Sequence, residues 1–297
     1  MLSYLHSFHA GNHADILKHF VLLYTVNYFN KKTKPYTIFD THSARGLYNL
    51  QSEESLKTGE AQKGILRVLD DEKNTPEQLK NYLSFVKQSI KNGFYPGSPC
   101  IEATCMQSGC NLFLTELHKT EFQELQKNIS FRTDCFVDIQ NKNGFEFVSK
   151  NTPPVLKRGF VLCDPSYEEK SDYINSAELF CNVHKKWSGA TLLLWYPLLN
   201  NKIEEIENMK QAILSCVKNK NPNTEVLDCS LCVDTPDSHI ETTLKDSIGS
   251  DKPRLYGSGM FIVNPCWGLK EELEAVLPYL SEKLANDGHG TFSVSML

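Results

Sequence analysis

The chain has 297 residues, 40% apolar and 23% charged, and carries a net charge of −5. Those values fit a globular protein with a substantial core and exclude a general polyanion coat, which needs an excess of lysine and arginine. No apolar run approaches the roughly 18 residues of a membrane span, and "MLSYLHSFHAGNHAD" lacks an apolar signal-peptide centre, so a soluble, cytoplasmic protein with no membrane partner is expected.

In chain order, Ala14–Tyr28 has helical apolar spacing, with Asn12 as its N-cap. "PYTIFD" (35–40) reads as a short strand. Residues 50–94 follow, two charged helical patterns split at Asn74-Thr75-Pro76 with no strand between them. Strands then recur at "LFLTE" (112–116), "CFVDI" (135–139), "GFVLCD" (159–164) and "ATLLLWY" (190–196), separated by helices near 119–129, 144–151, 171–187 and 200–219. Such alternation means βαβ units and a parallel sheet. "TEVLDCSLCV", "GSGMFIVNP", a helix near 269–285 and "TFSVSM" close the chain as an antiparallel edge.

The ten cysteines are scattered. Only Cys229 and Cys232 form a C-x-x-C, inside a strand, with no second ligand pair suitably spaced, so free thiols and no metal site are expected. Charge is uneven, +3 over residues 1–48 and −8 over the rest.

Residues just past the strand ends of a doubly wound sheet share one rim. Here they are "DTHSARGLY" with His42 and Gly46, Glu116, Asn143-Gly144 and Asp164. A carboxylate closing the second strand can accept from both ribose hydroxyls, and jointly these residues suggest an adenosine-containing cofactor. "DPSY" narrows the chemistry. Asp164 and the Pro165 carbonyl can accept both N–H bonds of an exocyclic amine while Tyr167 stacks on the base. Two acceptors that favour a pyramidal nitrogen release its lone pair toward an electrophilic methyl group, and the expected reaction is amino-methyl transfer on a flipped or single-stranded base.

"MLSYLHSFHAGNHADILKHF", "DTH…GLY", "YPGSP", "LTELH", "DPSY", "LWYPL", "GSGMFIVNPCW" and "LPYLSEKL" occur in order across nearly the whole chain. Through them the sequence closely resembles the RlmJ family of 23S rRNA adenine-N6 methyltransferases, which also carries a label for catabolism of external DNA. The resemblance implies a Rossmann-like class I methyltransferase, an α/β fold with a mostly parallel twisted sheet and an antiparallel edge. It implies one domain over 1–297 with a helical subdomain inserted at 50–94. The implied cofactor is S-adenosylmethionine. The implied partner is 23S rRNA in free or poorly structured form, with the protein a monomer.

By motif, Lys18, His19, His42, Ser98, Glu116, Asn143, Gly144 and Asp164 would hold the cofactor. Asp164, Pro165 and Tyr167 would act on the target amine. Tyr4, His6 and Lys18 would meet RNA, in keeping with the positive balance of the first 48 residues. The chain departs from the family pattern at Ser166, where a second proline is usual, and at Asn143, where aspartate is expected. It departs again at Ala44-Arg45, which bring side chains to a glycine-rich turn beside the cofactor. The departures support one alternative, a catalytically impaired RNA-binding member of the fold. His6, His9, His13, Asp15 and His19 support another, a metal-dependent nuclease for external DNA, although the Gly11-Asn12 turn argues against one helix carrying both His9 and His13.

Overall fold

The computed structural model describes residues 5–129, 132–236, 255–286 and 288–297. Eight strands form one sheet in the order β10-β8-β9-β7-β6-β1-β4-β5. Its centre is built from β1 (Thr37–Asp40), β4 (Asn111–Thr115), β5 (Phe136–Gln140), β6 (Gly159–Cys163) and β7 (Thr191–Leu199), all parallel. β9 (Leu255–Val263) runs antiparallel to both β7 and β8 (Val226–Cys232), and β10 (Thr291–Met296) closes the edge antiparallel to β8. This is the Rossmann-like class I order expected above, antiparallel edge included.

Period-2 alternation assigns side chains to the two faces. Ile38, Phe160, Leu162 and Leu193 join one core with α1 (His13–Asn30), α6 (Ser98–Cys105) and α11 (Leu269–Leu284). Phe39, Val161, Cys163, Leu192 and Leu194 join the other with α8 (Gly144–Asn151), α9 (Lys170–Lys186) and α10 (Ile203–Lys220). β6 is buried along its whole length because helices cover both faces, which is why it reads as an unbroken apolar run.

The strand order reverses between β1 and β6. β4 and β5 extend to one side and β6 and β7 to the other, so the carboxyl ends of β1, β4 and β6 open onto a crevice. α1 is aimed at that crevice. Asn12 caps it, its Oδ1 accepting from Asp15 N at 3.0 Å.

Residues 50–94 lie between a short antiparallel pair, β2 (Leu47–Tyr48) and β3 (Tyr95–Pro96), which the apolar pattern is too brief to announce. The segment carries α2 (Glu53–Thr58), α3 (Glu60–Lys63), α4 (Ile65–Leu69) and α5 (Glu77–Lys91), four helices where two patterns were expected. Gly59, at φ +65°, ends α2, and Ile65 N donates to Gly11 O at 2.8 Å where the chain turns into α4. Ile65, Val68, Leu79, Tyr82 and Val86 are buried in the same core as α1.

Candidate active site

A cavity of about 250 Å³ occupies the crevice. It brings together His6, Lys18, His19, His42, Ser98, Glu116, Asn143, Gly144, Asp164 and Pro165, all singled out from the sequence. Tyr167 is not on its wall. Its ring is 5% exposed, its backbone is left-handed at φ +55°, and its hydroxyl donates to Trp195 O at 2.7 Å. Tyr4 lies outside the described residues.

The first turns of α1 supply a buried ion cluster. Lys18 Nζ is 2.5 Å from Asp164 Oδ2 and 3.0 Å from Asp15 Oδ1, the latter an ion-pair contact rather than an aligned hydrogen bond. Asp15 Oδ2 accepts from Gly11 N at 2.8 Å and is 3.0 Å from His6 Nε2. Burial alone would raise the Asp15 carboxyl, but His6, Lys18 and His19 outweigh it and hold the group well below the usual carboxylate range. His19 is pushed down to about 3, chiefly by burial, and its Nδ1 pairs with the Tyr95 hydroxyl at 2.9 Å. One lysine therefore ties the N-terminal segment to the strand-end carboxylate 146 residues away.

At the other end of the crevice, Asp40 closes β1. Ser98 Oγ donates to its Oδ2 at 2.7 Å and His42 N to its Oδ1 at 3.1 Å. Burial pushes this carboxyl up to about 7 against the lowering effect of the Ser98 bond, and the nearby Asp164 adds to the rise. His42 is pushed down to about 4 by burial, and its ring meets Phe145 edge-on at 4.8 Å. Glu116 accepts from Ala44 N at 2.8 Å and His118 N at 2.6 Å, yet burial still raises it. Asn143 Oδ1 caps α8 by accepting from Glu146 N at 3.2 Å. Gly144 is a contact no larger residue allows, because a Cβ there would lie 2.0 Å from Thr41 O.

Ala44 borders the cavity in a left-handed conformation at φ +47°. Arg45 turns away. Its guanidinium grips Glu121 through two bonds of 2.9 and 2.5 Å, so it does not crowd the crevice. The histidines of the metal alternative are dispersed: His6 pairs with Asp15, His9 with Glu60 and His19 with Tyr95. Among the described residues no group of three or more His, Cys, Asp or Glu is arranged to hold a metal ion.

Residues 33–297 match the family described as ribosomal RNA large subunit methyltransferase D, RlmJ. The chain is 36% identical over 303 residues to ribosomal RNA large subunit methyltransferase J of Haemophilus influenzae, covering 100% of this chain and 99% of that one. It is 35% identical over 298 residues to the protein of the same name in Escherichia coli, covering 99% and 98%. The chain belongs to the RlmJ family. A crystal structure of a protein from Legionella pneumophila superposes with a TM-score of 0.81 at 28% identity, covering 97% of this chain and 98% of that one.

Within the RlmJ family fold, two residues at the crevice lay outside the sequence assignments, and a third, Asp15, figured only among the ligands of the metal alternative. Asp15 sits one helical turn before Lys18, and the i, i+3 spacing was its available signal. Asp40 ends β1 as Asp164 follows β6, a parallel visible in "FD" and "CD". Trp195 lies on β7, two residues before Pro197, and nothing in "LWYPL" tells which of its aromatics faces the crevice until β7's register is known.

Proposed function

We propose that the protein uses S-adenosylmethionine to methylate N6 of one adenine in 23S rRNA, on free or poorly structured RNA. One observation carries the reading: in an RlmJ-family chain, Asp164 and Pro165 stand at the end of β6 on the wall of a cavity that also holds Glu116, His42 and Gly144. The residues fit the cofactor. Glu116 offers acceptors for ribose hydroxyls, Leu117 and Phe145 offer apolar surface, and the missing Cβ of Gly144 leaves backbone open at the start of α8. His42, Ser98 and Asn143 complete that wall. When bound, S-adenosylmethionine supplies the electrophilic methyl group.

Asp164 and the Pro165 carbonyl accept the two N–H bonds of the adenine amine. Each charge-assisted bond contributes about 1.5–3 kcal/mol. Lys18 fixes the carboxylate's orientation through Oδ2, and Asp164 takes up the proton that the methylated amine must release. His6 and Lys18, on the cavity wall, meet the RNA. The whole chain, 1–297, acts as one domain, with 50–94 an inserted helical subdomain, working as a cytoplasmic monomer.

The test is methyl transfer from labelled S-adenosylmethionine to 23S rRNA purified from a strain lacking the protein, with the product mapped by mass spectrometry. The expected result is N6-methyladenosine at one position, more on free RNA than on assembled subunits. Asp164→Asn should lose 100-fold or more of the rate while leaving the fold intact by circular dichroism. Full turnover in that variant removes Asp164 from its role, and no heat of cofactor binding in the unaltered protein rejects the reading.

A further inference from the structure

Asp164 separates the cofactor cavity from a second one of about 760 Å³, bordered by His9, His13, Lys63, Pro197 and Leu199. Five residues line both: His6, Lys18, Asp164, Ser166 and Trp195. A base whose amine reaches Asp164 from the second cavity must pass this shared wall. Of the five, only His6 and Trp195 have aromatic faces. His6 is already engaged, its Nε2 on Asp15 and its ring edge-on to Tyr48 at 5.1 Å.

We propose that Trp195, not Tyr167, supplies the aromatic surface against which the target adenine is held; the inference rests on the adenine methyltransferase reading above. β7's alternation turns Trp195, Pro197 and Leu199 toward the second cavity and Tyr196 to the opposite face. There Tyr196 lies over Gly259, where a Cβ would be 2.1 Å from its ring. Lys18 Nζ, 2.5 Å from Asp164 Oδ2, is also 5.9 Å from the Trp195 ring centroid. One ammonium thus pairs with the carboxylate within cation–π range of the indole, and the two side chains border the same two cavities. Tyr167 stands behind. Its ring packs 4.7 Å from Tyr173 and 5.9 Å from Trp195, and its hydroxyl holds the Trp195 carbonyl, which makes it a buttress for the indole.

Stacking a base on an aromatic face is worth roughly tenfold or more in affinity. Trp195→Phe keeps a flat face and should methylate 23S rRNA within about threefold of the unaltered protein. Trp195→Leu should lose tenfold or more in kcat/KM, mostly through KM for RNA, while both variants bind S-adenosylmethionine equally by calorimetry. A second measurement does not depend on turnover. With S-adenosylhomocysteine saturating, adenosine should quench tryptophan emission of the unaltered protein but not of Trp195→Phe, which retains Trp187 and Trp267. Unchanged kcat/KM in Trp195→Leu, or equal losses in both variants, overturns the inference, as does undiminished quenching in Trp195→Phe. If the unaltered protein transfers no methyl group yet the quenching is lost in Trp195→Phe, the functional reading falls and the adenine-stacking role stands.

Discussion

At the first turns of α1, Asp15, Lys18 and His19 are nearly sealed from water, whereas Lys31, Lys32 and Lys34 at its far end stand exposed. The buried lysine is held between two carboxylates. The exposed Lys31 rests over the Tyr24 and Tyr28 rings, at 6.0 and 5.2 Å. Thirteen residues of helix, about 20 Å, separate Lys18 from Lys31. The +3 balance of the first 48 residues therefore does not gather at the crevice. Three of its five cations lie at the opposite end, and Arg45 is locked on Glu121. Lys18 is the one of the five that lines the cavity. A charge count locates a segment; burial and partners decide whether a cation binds, orients or merely solubilises.

The largest expected effect breaks this contrast at its buried end. Lys18→Met leaves Asp15 and Asp164 without their shared cation, and uncompensated buried charge costs about 3–5 kcal/mol. Denaturant unfolding should show that loss, and methyl transfer should fall 100-fold or more. Retained stability would mean the carboxylates find water instead.

Next comes protonation across the crevice. Asp40 titrates near 7 folded against 3.8 as a free side chain, so the folded state binds the extra proton. Its contribution is full below pH 3.8 and is lost as pH rises through 7. Asp40→Asn should remove up to about 4 kcal/mol of that fall between pH 4 and 8. His42 works in the reverse sense. Depressed to about 4 from 6.5, it contributes above pH 6.5 and ceases to as pH falls through 4. Unfolding curves across pH 3–9 for Asp40→Asn and His42→Phe should therefore diverge from the unaltered protein on opposite limbs. Parallel curves would show that water reaches these groups.

The smallest effect is at the exposed end. Lys31→Met should change stability by less than about 0.5 kcal/mol and methyl transfer by less than twofold. If RNA affinity falls further in Lys31→Met than in Lys18→Met, the RNA contact lies at the far end of α1 and the contrast inverts.

Much of the fold was legible because its local signals agree with one another. Asn12 caps α1 as its position before an apolar-periodic run suggests, and β4, β5, β6 and β7 fall within a few residues of the apolar runs that announce them. The insertion was legible only in outline. Its break at Gly64 depends on the chain folding back against Gly11, a contact no local pattern encodes. At the crevice, strand-end residues could be placed from alternation alone, whereas side-chain direction could not. Tyr167 lies two residues past Pro165, yet a left-handed backbone turns it into the core, and Arg45 is captured by Glu121 of α7 (Lys119–Asn128). Both outcomes are tertiary.

Gly144 fixes one further property of the molecule. Where α8 meets the turn after β1, two stretches of main chain touch with no side chain between them, and Thr115 Oγ1 donates to Thr41 O at 2.9 Å beside the contact. That mouth therefore has a stop rather than a spring: a single added methyl would press on Thr41 O and on Thr115 Oγ1 at the end of β4, jacking the two stretches apart from within and changing the gap's width.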